Sequence, residues 1–415
     1  MIKQKENLLS DLRVLDLTDE KGLMCGRILA TLGSEVIKVE KPGGDPTRMI
    51  PPFINDIPNP EKSIYWYAFN ADKKSITLNI EFPQGQDVFK KLVKTADVVI
   101  ESFQPSYMER LGLDYSHLSQ INPRMIMTSI TPFGKTGPYS HYKGSDLVAM
   151  AMGGLMATTG DPDRPPVRLC LDHAYQVAGI HGAVGTMLAY HYRKECDEGQ
   201  EVDVSMFESV VHIDYRDPIS WEFEKIRATR VGDKYLRGKI LTRQIWRCKD
   251  GFVDWLMYGG QTGAKDQTAL TEWMDLEGMA GVLKEVIWEE LDLVKLSPQR
   301  LEALETTIGN FFLKHTEQEL EDGAAKRGIR LLAVRRPEEL LYNRQLKERG
   351  YWAQIKHPEL DSSVAYPGRF FSSSETANRM RQRAPSIGEH NSEIYRGELG
   401  LTQKEINFMK ENGVI

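Results

Sequence analysis

The sequence predicts an α/β fold: a parallel sheet with helical crossovers, joined to a smaller α+β domain. Three observations carry that expectation. Short, nearly all-apolar runs recur between helical patterns through the first 130 residues, as strands buried on both faces do. Near residue 225 the texture shifts to a hairpin pattern followed by charge-rich helical segments. The chain has 415 residues, which suits two or three domains and a sizeable core.

Taken in order, Arg13–Leu17 (RVLDL) is expected as a buried strand, and Gly22–Leu32 as a helix with Ile28, Leu29 and Leu32 on one face. Glu35–Val39 and Ser75–Ile80 are the next strands, Gln84–Lys94 a helix, and Asp97–Ile100 and Arg124–Ile130 two further strands. Ala174–Arg193 carries the strongest helical pattern, with Gly179, Gly182 and Gly185 forming a small-residue face. Glu201–Val204 is a short strand. Ser205, with Glu208 three residues on, is a capping box that would satisfy backbone donors at the next helix start. Trp246–Trp255 reads as a hairpin turned by Asp250-Gly251. Helical segments then fill Thr268–Arg327, and the smaller domain is placed at residues 225–330. Asn391–Asn412 reads as two short helices broken at Gly400.

Composition narrows the function. Hydrophobic residues make up 41% and charged residues 27%, as in ordinary globular proteins. Lys and Arg number 53 against 59 Asp and Glu, a net charge of −6, so no basic excess is available for a nucleic-acid partner. Cys25, Cys170, Cys196 and Cys248 lie far apart and form no C-x-x-C, which argues against sequence-close zinc or redox frameworks and fits a reducing cytoplasm. Met1–Ser10 is polar and lacks the apolar centre of a signal peptide. The one long stretch without Asp, Glu, Lys or Arg, Ala174–Tyr192, contains Gln176, His181, Thr186, His191 and the three glycines. It is expected as a buried helix of a soluble protein and not as a bilayer span, so no membrane partner is expected.

A parallel sheet invites a nucleotide-binding reading, but there is no G-x-G-x-x-G. Gly134-Lys135-Thr136 resembles the tail of a phosphate-binding loop. The glycine needed five residues earlier is Ser129, however, and Gly137-Pro138 would break the helix that such a loop opens. There is no G-x-S-x-G elbow and no H-E-x-x-H, and the nine histidines do not cluster, so no catalytic metal is expected. Asp172 opens the long helix after an apolar stretch broken only by Arg168. Two readings of it stand. It is a helix N-cap, accepting backbone N–H bonds, or it is a catalytic carboxylate kept ionised by the helix N-terminus.

Six ordered blocks then add a family likeness. They are Arg13–Arg48 (RVLDLT…LATLGSEVIKVEKPGGDPTR), Phe69–Asn79 (FNADKKSITLN), Ala96–Tyr115 (ADVVIESFQPSYMERLGLDY), Asn122–Tyr139 (NPRMIMTSITPFGKTGPY), Pro165–Asp172 with Gly199–Ser209 (PPVRLCLD, GQEVDVSMFES), and Ala384–Gly400 (APSIGEHNSEI…LG). Through them the chain resembles the family III CoA-transferases, the group that contains formyl-CoA transferase and carnitine CoA-transferase, from about Leu9 to Ile415.

The resemblance implies a large doubly wound, Rossmann-like α/β domain built from both chain ends (residues 1–224 and, after a linker, 331–415), a small inserted domain, and two subunits interlocked as a dimer. It implies that Asp172 attacks an acyl-CoA thioester, with CoA as substrate and no permanently bound cofactor or metal. It also implies that Lys41, Leu78, Phe103, Arg110 and Lys143 contact CoA, Lys41 near its nucleotide end. Glu20 and Asp146 fall near the reacting centre. The expected partners are an acyl-CoA, a carboxylic acid and a second copy of the chain, or a paralogous subunit in a heteromer.

There are departures. Lys21-Gly22-Leu23 stands where the family often has a small residue and Gly-Pro, Glu20 where formyl-CoA transferase has an amide, and Ser102 in place of an asparagine. The stretch 232–246, matching a glycine-rich loop, has only two glycines. Gly259-Gly260-Gln261 follows the hairpin and is not assigned that role. Two other functions compete. One is an α-methylacyl-CoA racemase, whose G-H-D block is Gly144-Ser145-Asp146 here, without the histidine base. The other is a non-catalytic subunit, against which Asp172 argues.

Overall fold

The computed structural model describes residues 7–237, 240–375 and 380–415. Most of the polar N-terminal stretch, and Gly238 of the glycine-poor loop, lie outside the described residues. The chain divides into two compact units. Met1–Leu155, Arg168–Ile226 and Asn343–Ile415 form the larger; Met156–Val167 and Arg227–Tyr342 form the smaller.

The larger unit is built on a six-stranded, wholly parallel sheet in the order β3-β2-β1-β4-β5-β6. The strands are β1 (Arg13–Leu17), β2 (Glu35–Glu40), β3 (Lys74–Thr77), β4 (Val98–Glu101), β5 (Ile126–Thr131) and β6 (Glu201–Ser205). This is the doubly wound order, in which the chain runs outward from β1 to one edge and then from β4 to the other. Five of the expected strands match to within one or two residues at each end. β3 stops at Thr77 and not at Ile80, because the Asn79 N–H turns to the carbonyl of Val414 at 2.7 Å.

The helices of this part include α1 (Leu23–Thr31), α2 (Ile64–Asn70), α3 (Pro83–Val93), α4 (Tyr107–Arg110), α5 (Asp146–Met152), α6 (His173–Cys196), α7 (Met206–Ile213) and α8 (Arg216–Glu224). The Ser205 hydroxyl accepts the Glu208 N–H at 3.2 Å, so only the serine half of the expected capping box forms. Ser205 is also the last residue of β6, in register with Thr131.

In the smaller unit, β7 (Ile245–Arg247) and β8 (Phe252–Asp254) form the expected hairpin, with Trp246 opposite Val253. Helices α9 (Gln261–Leu276), α10 (Pro298–Phe312) and α11 (Glu317–Arg327) pack a core of Trp246, Trp255, Trp273, Phe311 and Phe312 around it. Gly259 lies against the Leu291 carbonyl, leaving no room for a side chain. The unit runs on to Tyr342, past the boundary expected at 330, because β9 (Leu332–Ala333) pairs with β8. Met156–Val167 joins it as well, held by Gly232 N–H to the Gly160 carbonyl at 3.0 Å and Arg230 Nε to the Asp161 carbonyl at 3.1 Å.

The chain then returns to the larger unit through a hairpin of β10 (Trp352–His357) and β11 (Ser362–Pro367), and ends in α12 (Gln403–Glu411). Ile394, Tyr395, Ile406 and Met409 enter the core beside Ile37, Ile76 and Phe89. The same segment closes the β3 edge of the sheet. The Ser75 carbonyl accepts the His390 N–H (2.9 Å), the Ser75 N–H donates to His390 Nδ1 (3.2 Å), the Thr77 N–H donates to Asn391 Oδ1 (2.9 Å), and the Thr77 carbonyl accepts the Tyr395 hydroxyl (2.6 Å). An edge strand is thereby left without an open row of donors and acceptors.

Candidate active site

In a doubly wound sheet, ligands bind outside the carboxyl ends of the strands where the order reverses, here between β1 and β4. The loops leaving those strands are tied together. Ser102 Oγ, after β4, accepts the Asp19 N–H at 2.9 Å and donates to Asp19 Oδ1 at 2.7 Å. Beneath them lies a buried charge network. Asp16 accepts from Lys73 Nζ (2.8 Å) and from the backbone and hydroxyl of Thr18 (3.0 and 2.7 Å), while Lys38 donates to the Thr18 carbonyl and pairs with Asp45 at 3.0 Å. Burial opposes the Asp16 charge, but Lys73 and Lys38 overcome it and hold its pKa below the ordinary value. The turn that carries Asp19, Glu20 and Lys21 is thus fixed from below.

Helix α6 brings Asp172 to its own N-terminus. The glycine face lets it lie close: a Cβ on Gly179 would sit 2.6 Å from Met24 Cβ, and one on Gly182 2.8 Å from Ile130 Cδ1. Asp172 occupies the N-cap position, yet its carboxylate makes no capping bond. That duty falls to Asp146, whose Oδ1 accepts the Ala174 N–H at 2.8 Å. Asp172 instead pairs with Arg168 Nη2 at 2.9 Å, and the same nitrogen lies 3.4 Å from Asp146 Oδ2. The capping reading of Asp172 is therefore corrected: position and residue type were right for a cap, but a second aspartate from α5 took the bond. The residue before it, Leu171, has φ +67°, a conformation costly for a branched side chain.

Two tyrosines missed by sequence reasoning complete the cluster. Burial pushes the Tyr65 hydroxyl pKa up, and the charges of Asp172 and then Glu20 push it further. Tyr175 is raised to about 12 by burial, with Glu20, Asp146 and Asp19 adding to the effect. Glu20 is itself raised by burial and next by Asp19. Asp146 is raised by burial and by Asp172, against the Ala174 N–H and Arg168. Asp172, Asp146, Glu20, Tyr65 and Tyr175 thus share one electrostatic neighbourhood. No local sequence signal marks either tyrosine: Tyr65 lies where no element is expected from the sequence, and Tyr175 falls in a helix expected only as buried with a small-residue face.

A second group lies on the same carboxyl side of the sheet. Lys41 follows β2 and donates to Glu81 Oε1 at 2.9 Å. Phe103 packs against Tyr107 with centroids 4.5 Å apart and the rings tilted by 31°, and the Arg110 guanidinium lies 5.7 Å from the Tyr107 ring. Leu78, expected as an apolar ligand contact, is 2% exposed within the core, so its side chain is not presented on this surface. Lys143 is exposed ahead of α5, two residues before the Ser145 cap, and is not joined to the Lys41–Arg110 group by the contacts described. Among the described residues, Glu35, Glu393 and Glu398 bring carboxylate oxygens within 4.8 Å of one another, but Arg13 and Lys74 pair with them. No described helix is long and apolar enough to cross a membrane.

Known proteins show the same family and fold. The chain is 31% identical over 412 residues to the succinyl-CoA:(R)-benzylsuccinate CoA-transferase subunit BbsE of Thauera aromatica, covering 98% of both chains. It is 29% identical to the succinyl-CoA–D-citramalate CoA-transferase of Chloroflexus aurantiacus, again over 98% of both. The crystal structure of a CAIB/BAIF family protein from Brucella suis superposes with a TM-score of 0.82 at 26% identity, covering 94% of this chain and 100% of that one. The model of CoA-transferase family III matches residues 9–391, and the chain belongs to that family.

Proposed function

We propose that this CoA-transferase moves CoA from an acyl-CoA thioester to a free carboxylic acid, with Asp172 as the covalent nucleophile. The observation that supports this reading most is the division of labour at the α6 N-terminus. Asp146 satisfies the helix, and the Asp172 carboxylate is left uncapped, 2.9 Å from Arg168 Nη2 and partly open to solvent. Asp172 attacks the donor thioester carbonyl, and the C–S bond breaks to give a mixed anhydride and CoA thiolate. The thiolate attacks the aspartyl carbonyl, releasing the donor acid and leaving an aspartyl-CoA thioester. The acceptor carboxylate attacks that thioester, forming a second anhydride, and returning thiolate takes the acceptor acyl group and frees Asp172. Each step exchanges one activated acyl group for another, so the sequence balances without ATP, and covalent catalysis divides one hard exchange into easier ones. Lys41 and Arg110 would hold the CoA phosphates throughout, which keeps the thiolate at high effective concentration.

Two relatives are named for succinyl-CoA, so succinyl-CoA is the donor to test first, against a panel of free acids. Asp172→Ala should keep fold and CoA binding and lose turnover by about 10³-fold or more. Hydroxylamine or borohydride added during turnover should modify the peptide that contains Asp172. Near-native activity of the variant, or an adduct on Asp146 or Glu20, would end this mechanism. A heteromer is the second reading, favoured because one relative is named as a subunit. Turnover by the purified chain alone decides against it. Ile180, Val184, Leu188 and Tyr192, each at least 40% exposed along one face of α6, support pairing with a second copy, and we place the interlocked homodimer there.

A further inference from the structure

Three side chains from three successive loops meet at the carboxyl edge of the sheet. Lys41 follows β2, Glu81 follows β3, and Tyr107 opens α4 after β4. Lys41 Nζ donates to Glu81 Oε1 at 2.9 Å, and the Tyr107 hydroxyl donates to the same oxygen at 2.8 Å. The backbone of Glu81 is held by its N–H to Asn79 Oδ1 at 3.0 Å. Arg110 adds a second cation beside the Tyr107 ring. An ammonium and a phenol hydroxyl converging on one anionic oxygen form a donor set suited to a phosphate oxygen. In the free chain a carboxylate of the protein occupies it.

We propose that Glu81 is an internal competitor for the anion position that a phosphate oxygen of the acyl-CoA takes, and so determines how tightly the nucleotide end is held. The inference rests on reading the Lys41–Arg110 surface as the nucleotide end of the CoA site. The Lys41 and Glu81 side chains are 54% and 48% exposed, so the pair is easily broken. The displaced carboxylate stays well within a Debye length of the incoming phosphate and opposes it. Such a device weakens the grip on a substrate whose CoA portion must remain through four acyl exchanges and then leave.

The test is calorimetric titration of the full chain and its E81Q, K41A and E81Q/K41A variants with CoA, 3′-dephospho-CoA and pantetheine, at low and high salt. Glutamine keeps one acceptor oxygen, removes the charge and puts an amide NH2 in place of the second oxygen. E81Q should bind CoA about fivefold more tightly at low salt, with the gain shrinking in high salt and absent for pantetheine. A gain shared by dephospho-CoA assigns the pyrophosphate; a gain with CoA alone assigns the 3′-phosphate. Unchanged or weaker CoA binding by E81Q, while K41A weakens binding, would overturn the competitor role and leave the nucleotide reading standing. If K41A binds CoA like the wild type, the nucleotide reading itself fails and the inference with it. A gain with pantetheine would show that the effect does not act through phosphate.

Discussion

Glu101 ends β4 with its residue 5% exposed and its side chain folded forward, so that Oε2 accepts the Phe103 N–H at 2.7 Å. Burial raises its pKa from 4.5 to about 7. The folded value lies above the unfolded one, so this group favours the folded chain below about pH 4.5, and that contribution is lost as pH rises through about 7. At pH 8 the buried charge costs about 3 kcal/mol. Glu101→Gln keeps the acceptor for Phe103 and should raise the urea midpoint at pH 8 by a corresponding amount, with the gain shrinking to near zero by pH 4.5. An equal gain at both pH values would assign the effect to something other than this carboxyl. Single residues also mark the limit of sequence reading. Asp172 stood out by its place before a long helix, and Glu20 and Asp146 by likeness to a family. That Asp146 caps the helix for Asp172 depends on α5 and α6 meeting in space, which no spacing along the chain encodes.

Helix α6 was legible as an element because its period, its small-residue face and its lack of charge all agree. What the face meets was not legible: Met24 and Cys25 of α1 and Ile130 of β5 come from segments far along the chain. Gly179 gives the sharpest test. On propensity alone Gly→Ala inside a helix stabilises by about 1 kcal/mol. Here a Cβ would lie 2.6 Å from Met24 Cβ and 3.0 Å from the Cys25 backbone nitrogen. Gly179→Ala should therefore destabilise by about 1–3 kcal/mol in urea unfolding and lower turnover by shifting Asp172. A stabilised variant would mean that α1 and α6 are not packed this closely. Strand ends were the least legible elements. β3 ends early because its next partner is supplied by the far end of the chain, which has no local signature.

At the scale of the molecule, composition located the change to a second unit near 225 but misplaced its far boundary, since the two-residue strand Leu332–Ala333 is too short to show a period. The proposed dimer belongs to this scale too. The exposed residues Ile180, Val184, Leu188 and Tyr192 recur every fourth position, and Leu188 is 65% exposed. Leu188→Glu should convert a sedimenting dimer into monomer or aggregate and abolish turnover. A wild-type chain that sediments as an active monomer would reject the pairing.

The closure of the β3 edge also sets a timetable for synthesis. Thr77 and the tyrosine that caps its carbonyl, Tyr395, are 318 residues apart. At about 5–20 residues per second the ribosome needs roughly 15–60 s to deliver the second after the first. Throughout that interval the nascent sheet carries an unsatisfied strand, while the smaller unit, nearly contiguous in the chain, can fold as it emerges. The β3 edge of the larger unit is therefore closed only after the segment holding His390 and Tyr395 has emerged.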